Sequence, residues 1–335
     1  MSFLPILLLG GTGQIGQLTA KALRARHPDL PLLIGGRNEP KAQRVASALG
    51  NAEPVVIDPH ADDLGLGDRQ IGAMAVLYAD ERLASLRFAQ ARGIGHLGIS
   101  SGIYEVAPEV AIHMQNPGAA ATVLGYEWLV GATTVATLTC ARPYARLDTI
   151  RVGALVDEED QGGPAVAEDF ARLASVMPSV MAREDGAFIW RKGDDARSSF
   201  QAVDGTVIPA SGFSSIDIAG LAASTGASDI MFAIGTGVSS SRRAGGTKST
   251  EIIIELSGLD AIGAPLHSRH AVVHPGGAAP LTALGVSMVL ERLAGLDGKQ
   301  ATKAGLFFPY QVLDHADYLG RLTQEDGQVM TLPPA

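Results

Sequence analysis

Apolar runs and helical stripes alternate along the chain from Leu4 to Ser100. The continuous apolar run at 4–9 predicts a strand covered on both faces. Ile15, Leu18, Thr19, Ala22 and Leu23 then recur at helical spacing, and Asp29 and Pro31 close the unit. Leu32-Leu33-Ile34 predicts a second strand, residues 41–49 a second helix and residues 54–58 a third strand. Residues 73–78 predict a fourth strand, 81–91 a helix and 95–100 a fifth strand. Such alternation predicts an α/β fold with a doubly wound parallel sheet.

From about residue 125 to 278 the period changes. Residues 148–156 (DTIRVGALV) predict a strand, and Val166, Phe170, Leu173 and Met177 mark one face of a helix. Antiparallel strands are expected at 188–191, 199–207 and 251–256, a further strand at 230–234, and a short helix at 215–223 capped by Ser214 or Ser215. This pattern is α+β, with a Gly- and Ser-rich loop at 239–247. Two helices, 282–293 and 309–322, end the chain. A tail of this kind packs back on the first domain. The expected division is residues 1–125 plus 279–335 for the first domain, with 126–278 as an inserted α+β domain.

Between Asn116 and Cys140 the single charge is Glu127, in a stretch as long as a membrane span. A mid-stretch Glu, Gly125, Gly131 and the lack of flanking basic residues make it core instead. The chain has 335 residues, 46% of them hydrophobic, enough for about two domains with sizeable cores. Its net charge of −9 argues against general nucleic-acid or anionic-membrane binding. With Cys140 as the only cysteine there is no disulfide framework, and a reducing cytoplasm is the expected location. No basic residue precedes Ile6, so no signal peptide is expected at the start.

The first strand runs into Gly10-Gly11-Thr12-Gly13-Gln14-Ile15-Gly16, which contains G-x-G-x-x-G between a predicted strand and helix. The first glycine of that pattern makes the turn, the second admits a pyrophosphate, and the third lets the helix lie close on the sheet. The helix N-terminus then faces the negative charge. This context predicts a Rossmann-like dinucleotide site built on Gly11, Thr12, Gly13, Gln14, Ile15 and Gly16; the alternative is a tight turn with no ligand. After the second strand stands Gly35-Gly36-Arg37-Asn38, where NAD sites place a carboxylate. A guanidinium there clamps a 2′-phosphate, so Gly36, Arg37 and Asn38 favour NADP over NAD. The other reading of Arg37 is a solvated strand end. Asp58 either touches the adenine side or caps the next turn. Tyr78, Ser100, Ser101 and Tyr104 stand at predicted carboxyl ends of strands, where ligands sit in such sheets.

On these motifs the chain resembles the saccharopine dehydrogenase (saccharopine reductase) family of NAD(P)-binding oxidoreductases. The glycine run and Gly35-Gly36-Arg37 carry the likeness. So do residues 91–102, ARGIGHLGISSG, beside that family's Gly-x-His-Tyr-x-Asp-x-Ser-Gly, and Pro309-Tyr310-Gln311-Val312-Leu313 beside its Pro-Glu-x-Leu-Leu. The resemblance implies a Rossmann domain, an inserted α+β domain that often dimerises, and hydride transfer in the cleft between them. Leu97 replaces the family's Tyr, its Asp is missing, and Gln311 replaces its Glu. Those departures leave the substrate open.

A nicotinamide enzyme needs orientation and one proton donor or acceptor from the protein. Glu127, alone in apolar surroundings, is one candidate; the alternative is that it pairs with an arginine or reaches water. His270 is a second, from the run LHSRHAVVH, whose strand spacing argues against a metal site at His267, His270 and His274. Tyr104 is a third. Arg242, Arg243 and Lys248 either capture a substrate carboxylate or are solvated, and Cys140 is expected to be inert core. The expected function is an NADP-preferring oxidoreductase acting on a small carbonyl, imine or amine, in a homodimer. A non-catalytic NAD(P)-binding sensor is the alternative.

Overall fold

The computed structural model describes residues 3–334 except 101, 161, 177 and 178. Met177, Ser101 and the side chains of Val166 and Phe170 lie outside the described residues. The chain divides into two compact units, one reaching Tyr126 and taking in Thr282–Leu313, the other comprising Glu127–Leu281 and everything from Asp314 on.

The first unit contains β1 (Ile6–Leu9), α1 (Gln14–Arg26), β2 (Leu32–Gly36), α2 (Glu39–Leu49) and β3 (Ala52–Val56). It continues with β4 (Ala73–Val76), α3 (Ala84–Arg92), β5 (Gly95–Gly98), α4 (Val106–Gln115) and β6 (Ala121–Leu124). After the second unit's main segment, most of α9 (Ala278–Ala294), β15 (Gly305–Phe307) and α10 (Pro309–Val312) complete it. Among the described residues, seven strands form its sheet in the order β15-β6-β5-β4-β1-β2-β3, every adjacent pair parallel. All four residues of β1 are fully buried, as a strand with helices on both faces requires. α1 buries Gly16, Thr19, Ala20 and Leu23, the stripe that helical spacing predicts. The order reverses between β1 and β4, and that switch point is where ligands sit in such sheets.

The second unit holds α5 (Ala132–Cys140), β7 (Tyr144–Asp157), α6 (Pro164–Val176), β8 (Val180–Glu184), β9 (Ala187–Arg191), β10 (Arg197–Gln201) and β11 (Val207–Gly212). It goes on through α7 (Asp217–Thr225), β12 (Asp229–Gly237), α8 (Ser240–Arg243), β13 (Thr250–Asp260) and β14 (Pro265–His274), and ends with α11 (His315–Gln324) and β16 (Gln328–Leu332). Its mixed sheet runs β10-β11-β12-β7-β13-β14-β16, with β8 paired to β12 and β9 paired to β8. β12 and β7 are parallel; β13 lies antiparallel to β7 and to β14.

Three expectations are corrected. The strand predicted at 199–207 is two strands, β10 and β11, because Asp204-Gly205 turns the chain: Gly205 has φ +84°, and Asp204 Oδ1 accepts the Thr206 N–H at 3.0 Å. The helix predicted at 309–322 is α10 and α11, separated by extended Leu313; Asp314 caps the second by accepting the N–H groups of Ala316 and Asp317 at 3.2 Å each. The tail from Asp314 on, assigned by pattern to the first domain, belongs to the second unit, because β16 pairs antiparallel with β14. The apolar stretch 116–140 divides into β6 and α5, and no described helix is long and apolar enough to cross a membrane.

Candidate functional site

The glycine run forms the turn from β1 into α1. Gly10 has φ +85°, a conformation that favours glycine, and its N–H donates to Gly35 O at 3.0 Å. A Cβ on Gly11 would stand 2.9 Å from Leu8 O, and one on Gly16 would stand 2.5 Å from Gly11 Cα. These two positions are closed by the protein's own backbone. Gly13 differs: a Cβ there would meet only Gly10 O, at 3.3 Å. Its bareness serves the open side of the turn, where a pyrophosphate would lie. Gly13 is also the N-cap of α1, with no side-chain cap and no acidic residue in the first turn. The first-turn N–H groups of Gln14, Ile15 and Gly16 therefore present positive character to that side. This cradle fits a dinucleotide phosphate.

At the end of β2, Gly36 faces Thr12; a Cβ on Gly36 would stand 3.5 Å from Thr12 Cγ2 and 3.7 Å from Oγ1. Arg37 follows, exposed. Asn38 follows in turn, its Oδ1 accepting the Lys41 N–H at 2.9 Å and capping α2. Asp58 serves a turn, accepting the His60 N–H at 2.9 Å. Tyr78 packs on the core of the sheet, and its ring lies 3.3 Å from where a Gly10 Cβ would be. Burial, with Asp80 adding to it, pushes the Tyr78 phenol up to about 12, while the nearby Arg37 charge opposes the rise. Thr12, Gly36, Arg37 and Tyr78 thus gather around one glycine turn.

The carboxyl ends of β5 and β6 carry a buried polar group that the sequence pattern does not reveal. The Tyr126 hydroxyl donates to the Glu109 carboxylate on α4. Glu109 is 3% exposed, and Tyr126 is half-buried. The same hydroxyl lies 3.0 Å from where a Cβ on Gly98 would be, with His96 Cε1 3.6 Å from that point. His96 Nε2 is 3.2 Å from Ser85 Oγ, whose proton goes to Asp80 Oδ2 at 2.5 Å. His96 therefore donates from Nε2. Burial pushes its pKa down to about 4 against the pull of Asp80, so the ring is neutral at pH 7 with a lone pair on Nδ1. Ser100 and Tyr104 lie in the segment between β5 and α4, both half-buried.

In the second unit Glu127 is buried and accepts the Thr134 hydroxyl proton at 2.9 Å. The next N–H, of Trp128, donates to Asp217 Oδ2 at 2.7 Å, as does the Ser215 hydroxyl. Leu129, Val130 and Gly131 follow with φ of +54°, +56° and +96°. Left-handed Leu and Val cost of order 1–3 kcal/mol each. Asp217 is wholly buried, and burial pushes its pKa up to about 6 against the hydrogen bonds from Ser215 and Trp128. His270 lies on β14, with Nε2 2.9 Å from Ser268 Oγ, and burial lowers its pKa. Arg242 pairs with Asp157, Glu158 and Glu159, Arg243 with Asp204, and Lys248 with Asp160. These cations serve internal ion pairs. Burial pushes the Cys140 thiol up to about 11, which keeps it unreactive. No group of three His, Cys, Asp or Glu among the described residues is placed to hold a metal ion.

No protein-family model and no curated protein matches the chain. Solved structures do. The apo, histidine-tagged saccharopine dehydrogenase (L-Glu forming) from Saccharomyces cerevisiae aligns with a TM-score of 0.65 at 13% identity, covering 98% of this chain and 100% of that one. The WlbA dehydrogenase from Bordetella pertussis, solved with NADH and UDP-GlcNAcA, aligns with a TM-score of 0.48 at 13% identity over 99% of each chain. The chain therefore has the fold of saccharopine dehydrogenase: a Rossmann-like parallel sheet with a second, mixed-sheet unit.

Proposed function

We propose that this chain is an NADP-preferring oxidoreductase acting on a small carbonyl, imine or amine. The observation that carries the proposal is the turn at the switch point of the parallel sheet. There Gly13 has the most open Cβ position of the three fingerprint glycines, with only Gly10 O in reach at 3.3 Å, beside Thr12, Gly36 and Arg37. The shared fold with saccharopine dehydrogenase supports it. In this reading Gly11 to Gly16 hold the pyrophosphate, Tyr78 closes the turn, and Arg37 with Thr12 holds the 2′-phosphate. A bound nicotinamide supplies a hydride donor or acceptor. The protein supplies orientation and a path for one proton.

Calorimetric titration with NADPH and NADH tests this. NADPH is expected to bind more tightly, and Arg37→Ala to erase the difference, a loss of roughly 1.5–3 kcal/mol for a charge-assisted contact. Equal binding of the two nucleotides, unchanged in Arg37→Ala, would remove the NADP assignment. Binding of neither would leave the glycine run a bare turn and end the oxidoreductase reading.

A further inference from the structure

We infer that Tyr126 is the proton-transfer residue of this site and that Glu109 positions it. The inference rests on the oxidoreductase reading above and adds the residue that sequence pattern does not supply. Tyr126 stands two residues beyond β6, at the carboxyl edge of the sheet on the β4-β5-β6 side of the switch point. The glycine turn occupies the end of β1 on the other side of that point. A dinucleotide laid across the switch point with its pyrophosphate on the turn and its 2′-phosphate end toward β2 brings its nicotinamide half to the β4-β5-β6 side.

Three features single out this tyrosine. Its hydroxyl is held by a buried carboxylate, Glu109, across the turn of the chain between α4 and β6. Space for that hydroxyl exists because residue 98 is glycine; any side chain there would begin 3.0 Å from the Tyr126 oxygen. His96, whose Cε1 approaches the same point, is 4% exposed, and its Nδ1 has no hydrogen-bond partner among the described residues. A buried lone pair beside a phenol–carboxylate pair marks a place built for polar chemistry rather than for packing.

In the oxidative direction the substrate O–H or N–H bond breaks and its proton passes to Tyr126 Oη. The Tyr126 proton passes to the Glu109 carboxylate. A bound oxidised nicotinamide would supply the acceptor for the hydride released when the C–H bond on the same carbon breaks and the C=O or C=N double bond forms. Glu109 ends protonated and returns its proton to water. Reduction is the reverse, with Tyr126 delivering its proton to the carbonyl oxygen or imine nitrogen. Tyr126 touches the reacting atom; Glu109 acts through Tyr126.

The test begins without a substrate. Protein labelled at tyrosine Cζ is titrated with adenosine 2′,5′-bisphosphate and then with NADP⁺, and the Tyr78 and Tyr126 signals are assigned from Tyr78→Phe and Tyr126→Phe. The bisphosphate is expected to shift the Tyr78 signal alone, and NADP⁺ to shift both. If NADP⁺ saturates the protein and shifts Tyr78 but leaves Tyr126 in place, the proposal falls and the dinucleotide reading stands. If neither nucleotide binds, both fall. Turnover is then followed over a panel of carbonyl compounds, with and without ammonia or primary amines. Tyr126→Phe is expected to lower kcat at least 100-fold and to change the NADPH Kd less than 2-fold. Glu109→Gln should lower kcat about 10-fold and flatten the pH profile of kcat, with KM unchanged. Full turnover by Tyr126→Phe would overturn the proposal. Nucleotide binding with no turnover by the wild-type chain would make it a sensor and remove the catalytic role.

Discussion

At the scale of single residues, the glycines of the turn are not equivalent, and two substitutions separate their roles. Gly13→Ala keeps a compatible backbone, φ −76° and ψ 175°, and its added methyl meets only Gly10 O at 3.3 Å. Its unfolding free energy should fall by no more than about 1 kcal/mol, because Gly is the better N-cap but Ala loses less unfolded-state entropy. Its NADPH affinity should nevertheless fall at least tenfold, because the methyl points where the pyrophosphate approaches. Gly16→Ala should do the opposite first. Its methyl would lie 2.5 Å from Gly11 Cα, so α1 must move off the sheet, at about 1–3 kcal/mol of overpacking. Urea denaturation beside calorimetry separates the two. Equal affinity of Gly13→Ala and wild type would show that no phosphate sits on this turn. These glycines are legible in the sequence because a turn, a close approach and a helix contact each demand the same missing side chain at fixed spacing. Tyr126 and Glu109 are not legible. They meet across 17 positions, through a helix and a strand, and nothing in either residue's neighbours marks the pairing. What the sequence does carry is the glycine at 98, whose reason appears only when the Tyr126 hydroxyl is seen above it.

At the scale of elements, periodicity predicts what lies inside one element better than what joins two. The alternation from β1 to β5 is readable because each strand is a short apolar run between helical stripes. The tail is not, because its period continues from Pro309 to Leu322 while Leu313 turns the backbone to φ −75°, ψ 137°. Helical spacing survives the break, so pattern alone joins α10 to α11. β16 is missed for a different reason. It is a short edge strand whose place is set by pairing with β14, a contact no local signal announces. Arg24 is another long-range joint. Its guanidinium donates to the carbonyls of His27, Pro28 and Leu30 after α1 and to those of Gly50 and Asn51 after α2. One side chain thereby holds two turns at the amino edge of the sheet. Arg24→Lys keeps the charge and loses the fork. It should cost about 1–3 kcal/mol by chemical denaturation, with nucleotide affinity unchanged because the turn at Gly10 is at the opposite edge. A loss below about 0.5 kcal/mol would mean that the two turns hold themselves.

At the scale of the whole molecule, buried titratable groups give the two units different responses to acid. His96 and His113 in the first unit, and His270 and His274 in the second, are all held low by burial. Groups of this kind contribute stability that is full above the unfolded His value near 6.5 and is lost as pH falls through the folded values. Asp157 adds to the acid lability: burial raises it, but hydrogen bonds from Ser239, the Glu159 N–H and Arg242 outweigh that and hold it at about 2. Its contribution is present above about pH 4 and lost as pH falls through about 2. Asp217 runs the other way. Burial lifts it to about 6, above the roughly 3.9 of an unfolded Asp, so the folded state binds that proton more tightly. Its stabilisation is full below about pH 4 and is lost as pH rises through about 6, a change of roughly 2–3 kcal/mol. Asp217→Asn keeps a carbonyl oxygen for the Trp128 N–H and the Ser215 hydroxyl and carries no charge at any pH. The difference in unfolding free energy between wild type and Asp217→Asn cancels the histidines and Asp157, which both proteins share. That difference should move against the wild type by roughly 2–3 kcal/mol between about pH 4 and pH 7.5 and be flat below pH 4. A difference curve flat throughout would mean that Asp217 ionises in the folded chain as it does in water, and that the buried carboxylate behind Trp128 is solvated after all.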